Sequence, residues 1–393
     1  MIRPIPYGKQ SISKDDELAL VDALNSEFLT QGPKVYEFES KFADYVGSKY
    51  AVAVSNGTAA LHLCTLALGV NYNSNVITTP ITFAASANCV LYCGGKVHFA
   101  DIDSSSGVID IGSVIKLLES KPEGYFHGLI PVDFAGYPVN LEEFRKIADQ
   151  YGLWIIEDAC HAPGGFFTDS ASKQQRCGNG NYADLAIFSF HPVKHIATGE
   201  GGMITTNDEQ LYKKLLKLRT HGITKEPSLL EKNEGGWYYE MQELGFNYRI
   251  PDILCALGIS QLKKAERGLS RRKEIARKYD EAFKGYKSIR KFENQQNLDR
   301  KGIQHAYHLY IIRIKDRLEL YNHLRLNNII AQVHYIPVYS MPYYRNNGYH
   351  DVRCIEAESY YSECLSLPIY PSLSDTEQNF VIETILNFIN KKL

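Results

Sequence analysis

The stretch YAVAVSNGTAALHLCTLALG, residues 50–69, constrains the fold more than any other. An apolar run at 50–54 reads as a buried strand. SNG then makes a tight turn, and the period changes to that of a mostly apolar helix closed by Gly69. The same alternation returns downstream. NVITTP, KVHFADID, FHGLIPVDFAG, LWIIEDAC and DLAIFSF are short apolar runs, several of them separated by helical patterns such as LEEFRKIADQYG. Strands without a polar face, joined through helices, predict an α/β fold whose mostly parallel sheet is sandwiched by helices. Upstream, DDELALVDALNS and KVYEFESKFADYVG carry helical periodicity.

From about Asp252 the texture changes to long charged helical patterns, followed by the β-like segments HLYIIRIK and IIAQVHYIPVY. This predicts a large domain over 1–255 and a smaller C-terminal α+β domain over 256–393. The Lys/Arg run at 263–278 is interleaved with Glu and reads as a solvated helix face. A net charge of −2 gives no electrostatic case for a nucleic-acid or anionic-membrane partner. No run of 18 apolar residues occurs, and the N-terminal sequence lacks a basic flank leading into an apolar core. The eight cysteines are scattered without CxxC pairs, as in a reducing compartment, so a cytoplasmic protein is expected. His305 and His308 form an HxxH without a nearby acidic partner, and no metal is expected.

Ligands of open α/β sheets bind beyond the carboxyl ends of the strands, so those ends carry the chemistry. After the strand at 50–54, the turn into the helix offers free N–H groups and the Thr58 hydroxyl to a phosphate, although a threonine there also reads as a plain N-cap. Asp158 ends LWIIED, either as a functional carboxylate or as a cap or structural ion pair. Ser189 and Lys194 follow DLAIFSF; a solvated loop lysine is the bland alternative. Phe83, after the next strand, is either a stacking face or a core residue. Together, an anion cradle, a buried carboxylate and an amine meet the needs of pyridoxal 5'-phosphate: a phosphate cup, a partner for the pyridine nitrogen, and a covalent anchor. Nucleotide-binding alternatives are poor. There is no GxxxxGK[ST], and the GxGxxA at Gly178–Ala183 follows a polar segment instead of a strand.

The ordered blocks LTQGPKVYEFE, SNGTAAL, TTPITFAASAN, EDACHAPGG, FSFHPVKHIATGEGG, RTHGI, GFNYRIPDILCALG, AQVHYIPVY and LSLPIYPSL resemble the DegT/StrS-type nucleotide-sugar aminotransferases nearly end to end. FSFHPVK, PVDFAG and QVHYIPVY resemble most the branch that acts in pseudaminic acid synthesis, the UDP-4-amino-4,6-dideoxy-N-acetyl-β-L-altrosamine transaminases. The resemblance implies a fold-type I, pyridoxal-phosphate-dependent homodimer with active sites shared between subunits. It implies Lys194 as the Schiff-base lysine and Asp158 as the partner of the ring nitrogen. Thr58, the Ala59 N–H and Ser189 would hold the phosphate, Phe83 would stack on the ring, and His161 would lie near the ring hydroxyl. Asn247 would reach the neighbouring subunit's cofactor. His334, Arg249 and Tyr7 would lie on the substrate side. The expected substrates are L-glutamate and the C4 ketone of a UDP-linked 4-keto-6-deoxy-N-acetylhexosamine. Another keto-sugar nucleotide, or a non-catalytic cofactor-binding regulator, is the alternative. Two positions depart from the branch: Asn56-Gly57-Thr58-Ala59 replaces its hydroxyl-rich turn, and His195 stands where proline is common.

Overall fold

The computed structural model describes residues 3–392; residues 1, 2 and 393, the outer limits of the two expected domains, lie outside it. A short strand β1 (Ile5–Pro6) leads to helices α1 (Lys14–Leu24) and α2 (Pro33–Val46). The alternation expected from the apolar runs then follows. It comprises β2 (Tyr50–Val54), α3 (Gly57–Ala67), β3 (Asn75–Thr78), α4 (Ala85–Tyr92), β4 (Lys96–Phe99), α5 (Ile111–Glu119), β5 (Gly128–Ile130), α6 (Leu141–Tyr151) and β6 (Trp154–Asp158). A hairpin of β7 (Phe166–Thr168) and β8 (Gln174–Arg176) precedes β9 (Leu185–Ser189), β10 (Gly202–Thr206) and α7 (Glu209–Arg219).

The main sheet has seven strands in the order β2-β10-β9-β6-β5-β3-β4. From β9 to β4 every pairing is parallel. Strand β10, GMITT, is the one the alternation did not announce, because it follows a glycine-rich turn with no helix before it. It runs antiparallel to both β9 and β2. Two reversals leave β2 running with β9, so the carboxyl ends of β2, β3, β6 and β9 open on one edge of the sheet.

What steadies that edge is aromatic packing behind it. Phe188 and Phe190 flank Ser189 and meet Phe38 and Phe42 of α2, with ring centroids 4.8 Å (Phe42–Phe188), 5.5 Å (Phe42–Phe190) and 5.1 Å (Phe38–Phe190) apart. All four rings are fully buried. Offset and edge-on rings at these distances add to the burial energy of each side chain. Phe42→Ala therefore costs about 3–5 kcal/mol, which a thermal or denaturant unfolding curve measures.

In the C-terminal part, the long helical pattern from Asp252 is two helices, α8 (Asp252–Leu262) and α9 (Ala265–Ala282). Helix α8 packs against α1 and α2. Helix α9 joins two cores: Ala265 and Leu269 pack with the aromatic cluster, whereas Ile275, Ala276 and Tyr279 pack with Ile5, Ile312, Leu365 and Val381. The second core covers a three-stranded antiparallel sheet of Arg290–Lys291, Tyr310–Arg313 and Cys364–Leu367. HLYIIRIK supplies its middle strand. IIAQVHYIPVY differs from expectation: only Ile329–Ile330 is a strand, paired in parallel with β1, and beyond a bridge at Gln332 the chain is irregular. Pro337 has no N–H to continue a ladder. The freed segment turns toward the open edge of the main sheet.

Adjacent strand residues face opposite ways, so Glu157 points to the other side of β6 from Asp158. There it meets Asp133 and Cys177, their ligating atoms within 4.8 Å of one another and all three side chains buried. Asp133 accepts from the Val139 N–H (2.8 Å) and Glu157 from the Gly178 N–H (2.9 Å). The other Asp133 oxygen has no hydrogen-bond partner among the described residues. Burial pushes Asp133 up to about 7 and raises Glu157 well above its ordinary value, with Asp133 adding to the latter. A carboxyl raised in the folded state stabilises fully below its unfolded value, ~4, and that stability is lost as pH climbs through about 7. Asp133→Asn keeps an acceptor for Val139 and removes the charge. The decline of the melting temperature between about pH 4 and 7 is then shallower than in the wild type.

Candidate active site

A cleft of about 910 Å³ lies at the open edge of the sheet. It is walled by the ends of β2, β3, β6 and β9, by the N-terminal segment at Tyr7 and by the irregular segment 332–336. Tyr7, Thr58, Ala59, Phe83, Asp158, His161, Ser189, Lys194 and His334 all line it. Asn247 is exposed and Arg249 half-buried, and neither belongs to this wall. Arg249 lines a separate depression with Gln31, Glu39 and Arg219, so within one chain it does not sit on the substrate side.

At one end, the first turn of α3 faces Ser189. The N-cap is Asn56, whose side-chain oxygen accepts from the Ala59 N–H (2.8 Å). Two expectations change as a result. Thr58 is not the cap, so its hydroxyl is left for the cleft; and the Ala59 N–H, expected to hold phosphate, is already engaged. The N–H groups of Gly57 and Thr58 have no acceptor among the described residues. Gly57 is needed for the close approach, since a Cβ there would come within 3.0 Å of the Ser189 Cβ and 3.6 Å of the Cys160 Sγ. Free N–H groups at a helix N-terminus, with two hydroxyls beside them, form an anion cradle.

In the middle, Asp158 is buried at the end of β6 without a basic partner. Its Oδ2 accepts from the Ser86 hydroxyl (2.7 Å) and its Oδ1 from the Cys160 N–H (3.2 Å). These bonds hold the carboxylate in place and leave its charge to be met by a cationic N–H from the cleft. Phe83 is 63% exposed, which excludes the core alternative. A large apolar ring presented to a cleft is a face awaiting a flat partner. Opposite, His161 Nδ1 accepts from the Ala135 N–H (3.3 Å) and Nε2 lies 3.4 Å from the Tyr335 hydroxyl. Burial, then Lys194, His334 and His195, holds His161 well below its ordinary value. His334 bonds Ser366 through Nδ1 (2.8 Å) and packs its ring against Tyr7. Burial and Lys194 push it down to about 3.

At the far end, the loop after β9 carries Lys194. Its N–H donates to the His191 carbonyl (2.8 Å), a turn that directs the side chain into the cleft. Burial lowers the amine below its ordinary value, while Cys160 and Asp158 act the other way. Next to it, His195 bonds the Ala306 carbonyl through Nε2 (2.8 Å), tying the lysine loop to the C-terminal part of the chain. The sequence had left Ser86 and Tyr335 unremarked. Ser86 is marked only by standing three residues after Phe83 at the start of a helix, and Tyr335 only by following His334.

An anion cradle, a charged carboxylate, an exposed aromatic face and a desolvated amine, arranged along one cleft, fit a phosphorylated pyridine aldehyde in both charge and shape. The comparisons agree. The model of the DegT/DnrJ/EryC1/StrS aminotransferase family matches residues 10–386. The UDP-4-amino-4,6-dideoxy-N-acetyl-beta-L-altrosamine transaminase of Campylobacter jejuni is 37% identical over 98% of both chains. Helicobacter pylori PseC, an aminotransferase involved in the biosynthesis of pseudoaminic acid, superposes with a TM-score of 0.86 at 30% identity, over 99% of this chain and 100% of that one. The PMP-form of the sugar aminotransferase Spr1654 from Streptococcus pneumoniae gives 0.89 at 27% identity, over 99% and 100%.

Proposed function

With the chain a member of the DegT/DnrJ/EryC1/StrS aminotransferase family, and so a pyridoxal 5'-phosphate-dependent sugar aminotransferase, we propose that it moves an amino group from L-glutamate to the C4 ketone of a UDP-linked 4-keto-6-deoxy-N-acetylhexosamine. The product would enter surface sugars of the pseudaminic acid type. The observation that carries this reading is the pairing of Lys194 with Asp158 across a cleft that ends in an anion cradle. The C4 position and the UDP carrier draw on the Campylobacter and Helicobacter relatives.

In this reading the Gly57 and Thr58 N–H groups, with the Thr58 and Ser189 hydroxyls, would hold the phosphate. Asp158 would accept a hydrogen bond from the protonated ring nitrogen, and Ser86 keeps its carboxylate oriented. Bound pyridoxal 5'-phosphate supplies a carbonyl that takes up the amino group and a ring that takes up electrons. Lys194, its amine desolvated, removes the proton from the α-carbon of glutamate and later returns one to C4 of the sugar. His161 would donate from Nε2 to the ring hydroxyl, and Tyr7 and His334 would close the substrate side. A second copy of the chain supplies Asn247. Apolar side chains left exposed on α1 (Leu18, Val21, Leu24) and around Trp237, Met241 and Leu244 suit such a partner. The site of action is the cytoplasm; among the described residues no helix is long and apolar enough to cross a membrane.

The test is the release of 2-oxoglutarate from glutamate, followed for a panel of UDP- and dTDP-linked keto-sugars. Turnover with the UDP-linked 4-keto-6-deoxy-N-acetylhexosamine supports the reading. Faster turnover with a 3-keto or dTDP-linked sugar replaces the substrate, and no release with any acceptor leaves only a cofactor-binding regulator.

A further inference from the structure

Behind the cleft, three imidazoles stand in a row. His161 and His308 pack with ring centroids 4.1 Å apart and planes tilted by 30°, and His195 follows, 5.7 Å from His308. His161 faces the cleft. His308 does not line it and takes no part in the chemistry above. Yet His308 is buried with its Nδ1 unpartnered, a costly state for an imidazole that any apolar ring of the same size would avoid.

The backbone has been shaped to bring it there. Gly136 has φ +97°, and a Cβ on it would come within 2.8 Å of the His161 carbonyl and 2.9 Å of the Tyr307 nitrogen. Without that side chain, segment 305–309 closes on the loop after β5: the Ala306 N–H donates to the Gly136 carbonyl (2.7 Å) and the Leu309 N–H to the Ala135 carbonyl (3.1 Å). From below, the buried guanidinium of Arg272 binds the carbonyls of Tyr307 (3.2 Å) and His308 (3.3 Å). The same loop aims the Ala135 N–H at His161 Nδ1, which leaves the proton of a neutral ring on Nε2, the nitrogen that meets the Tyr335 hydroxyl.

We propose that His308 is a positioning residue for His161: its ring fixes the plane of the cleft imidazole and seals its rear face, so that His161 Nε2–H points to Tyr335 and the cofactor. The proposal rests on the reading of this cleft as the cofactor site. Around the pair stand Lys194, His195, His334, Arg272 and the Tyr335 phenol. All the charge among them is positive, so His161 stays neutral as long as water is kept out.

His308→Ala opens the rear face to water, and His308→Phe keeps it closed without a nitrogen. In the alanine variant, His161 regains access to its charged form, and the pH profile of kcat acquires a new acid-side ionisation near ~6. The phenylalanine variant keeps the wild-type profile. A second readout needs no turnover. Diethyl pyrocarbonate modification of the full-length protein, with and without cofactor, is mapped by peptide mass spectrometry. His161 reacts about tenfold faster in the alanine variant than in the wild type or the phenylalanine variant. Wild-type-like profiles and reactivity in His308→Ala overturn the proposal, as does a phenylalanine variant that behaves like alanine. A wild-type protein without aminotransfer overturns the functional reading instead, and the modification experiment still decides the role of His308.

Discussion

A Lys194→Ala protein loses aminotransfer by roughly 10⁴-fold or more and no longer shows the long-wavelength absorbance of a lysine-bound cofactor. The amine is the one group in the cleft able both to anchor an aldehyde covalently and to carry a proton between two carbons. Lys194 is the single lysine in the lining of the cleft. Burial already lowers its proton affinity, which raises the share of free base near neutral pH. Stability should barely change. The turn that places the side chain is made by the Lys194 N–H and the His191 carbonyl, and alanine keeps both. Release of 2-oxoglutarate, the absorbance spectrum and the melting temperature are to be read together. Wild-type turnover in the variant would sink the assignment, and a large fall in melting temperature would show that the lysine is structural.

The strand ends were legible in the sequence because they depend on local order: an apolar run, a turn, a polar residue. That is why Asp158, Ser189 and Lys194 fall on one edge from the sequence alone, and why Phe83 reads there as a ring face. What escaped were features set by distant pairing. Strand β10 looks like part of a loop until its antiparallel neighbours are known, and the β-rich segment at 329–339 gives up its ladder to line the cleft. The cap of α3 stays open in the sequence for a related reason. Asn56 and Thr58 both suit a helix start, and only the backbone shows that the asparagine takes the Ala59 N–H. His195 has no explanation within its own stretch; its partner is the Ala306 carbonyl, far along the chain. Ser86 and Tyr335 carry no local signal strong enough to separate them from ordinary helix and loop residues.

Asp158→Asn separates the charge of that carboxylate from its place in the fold. Asparagine is nearly the same size, and its side-chain oxygen can still accept from Ser86 or from the Cys160 N–H, so the end of β6 should keep its conformation. What disappears is the negative charge that a protonated ring nitrogen would meet in a site screened from water. Preorganised groups of this kind are typically worth 10²–10³-fold in rate when removed singly, so kcat is expected to fall by about 10³-fold. Because that stabilisation grows as the ring takes up electrons, the loss appears in kcat and hardly in the KM for glutamate. A purely structural aspartate would behave otherwise. Its loss would lower the melting temperature and the active fraction, leaving the kcat of the folded remainder intact. Ser86→Ala gives a graded control, since it removes the hydroxyl that orients the carboxylate and leaves the charge. A smaller fall in kcat, in the same direction, is expected. If Ser86→Ala lowers kcat as far as Asp158→Asn does, orientation outweighs charge at this position, and the assignment of Asp158 to the ring nitrogen must be abandoned.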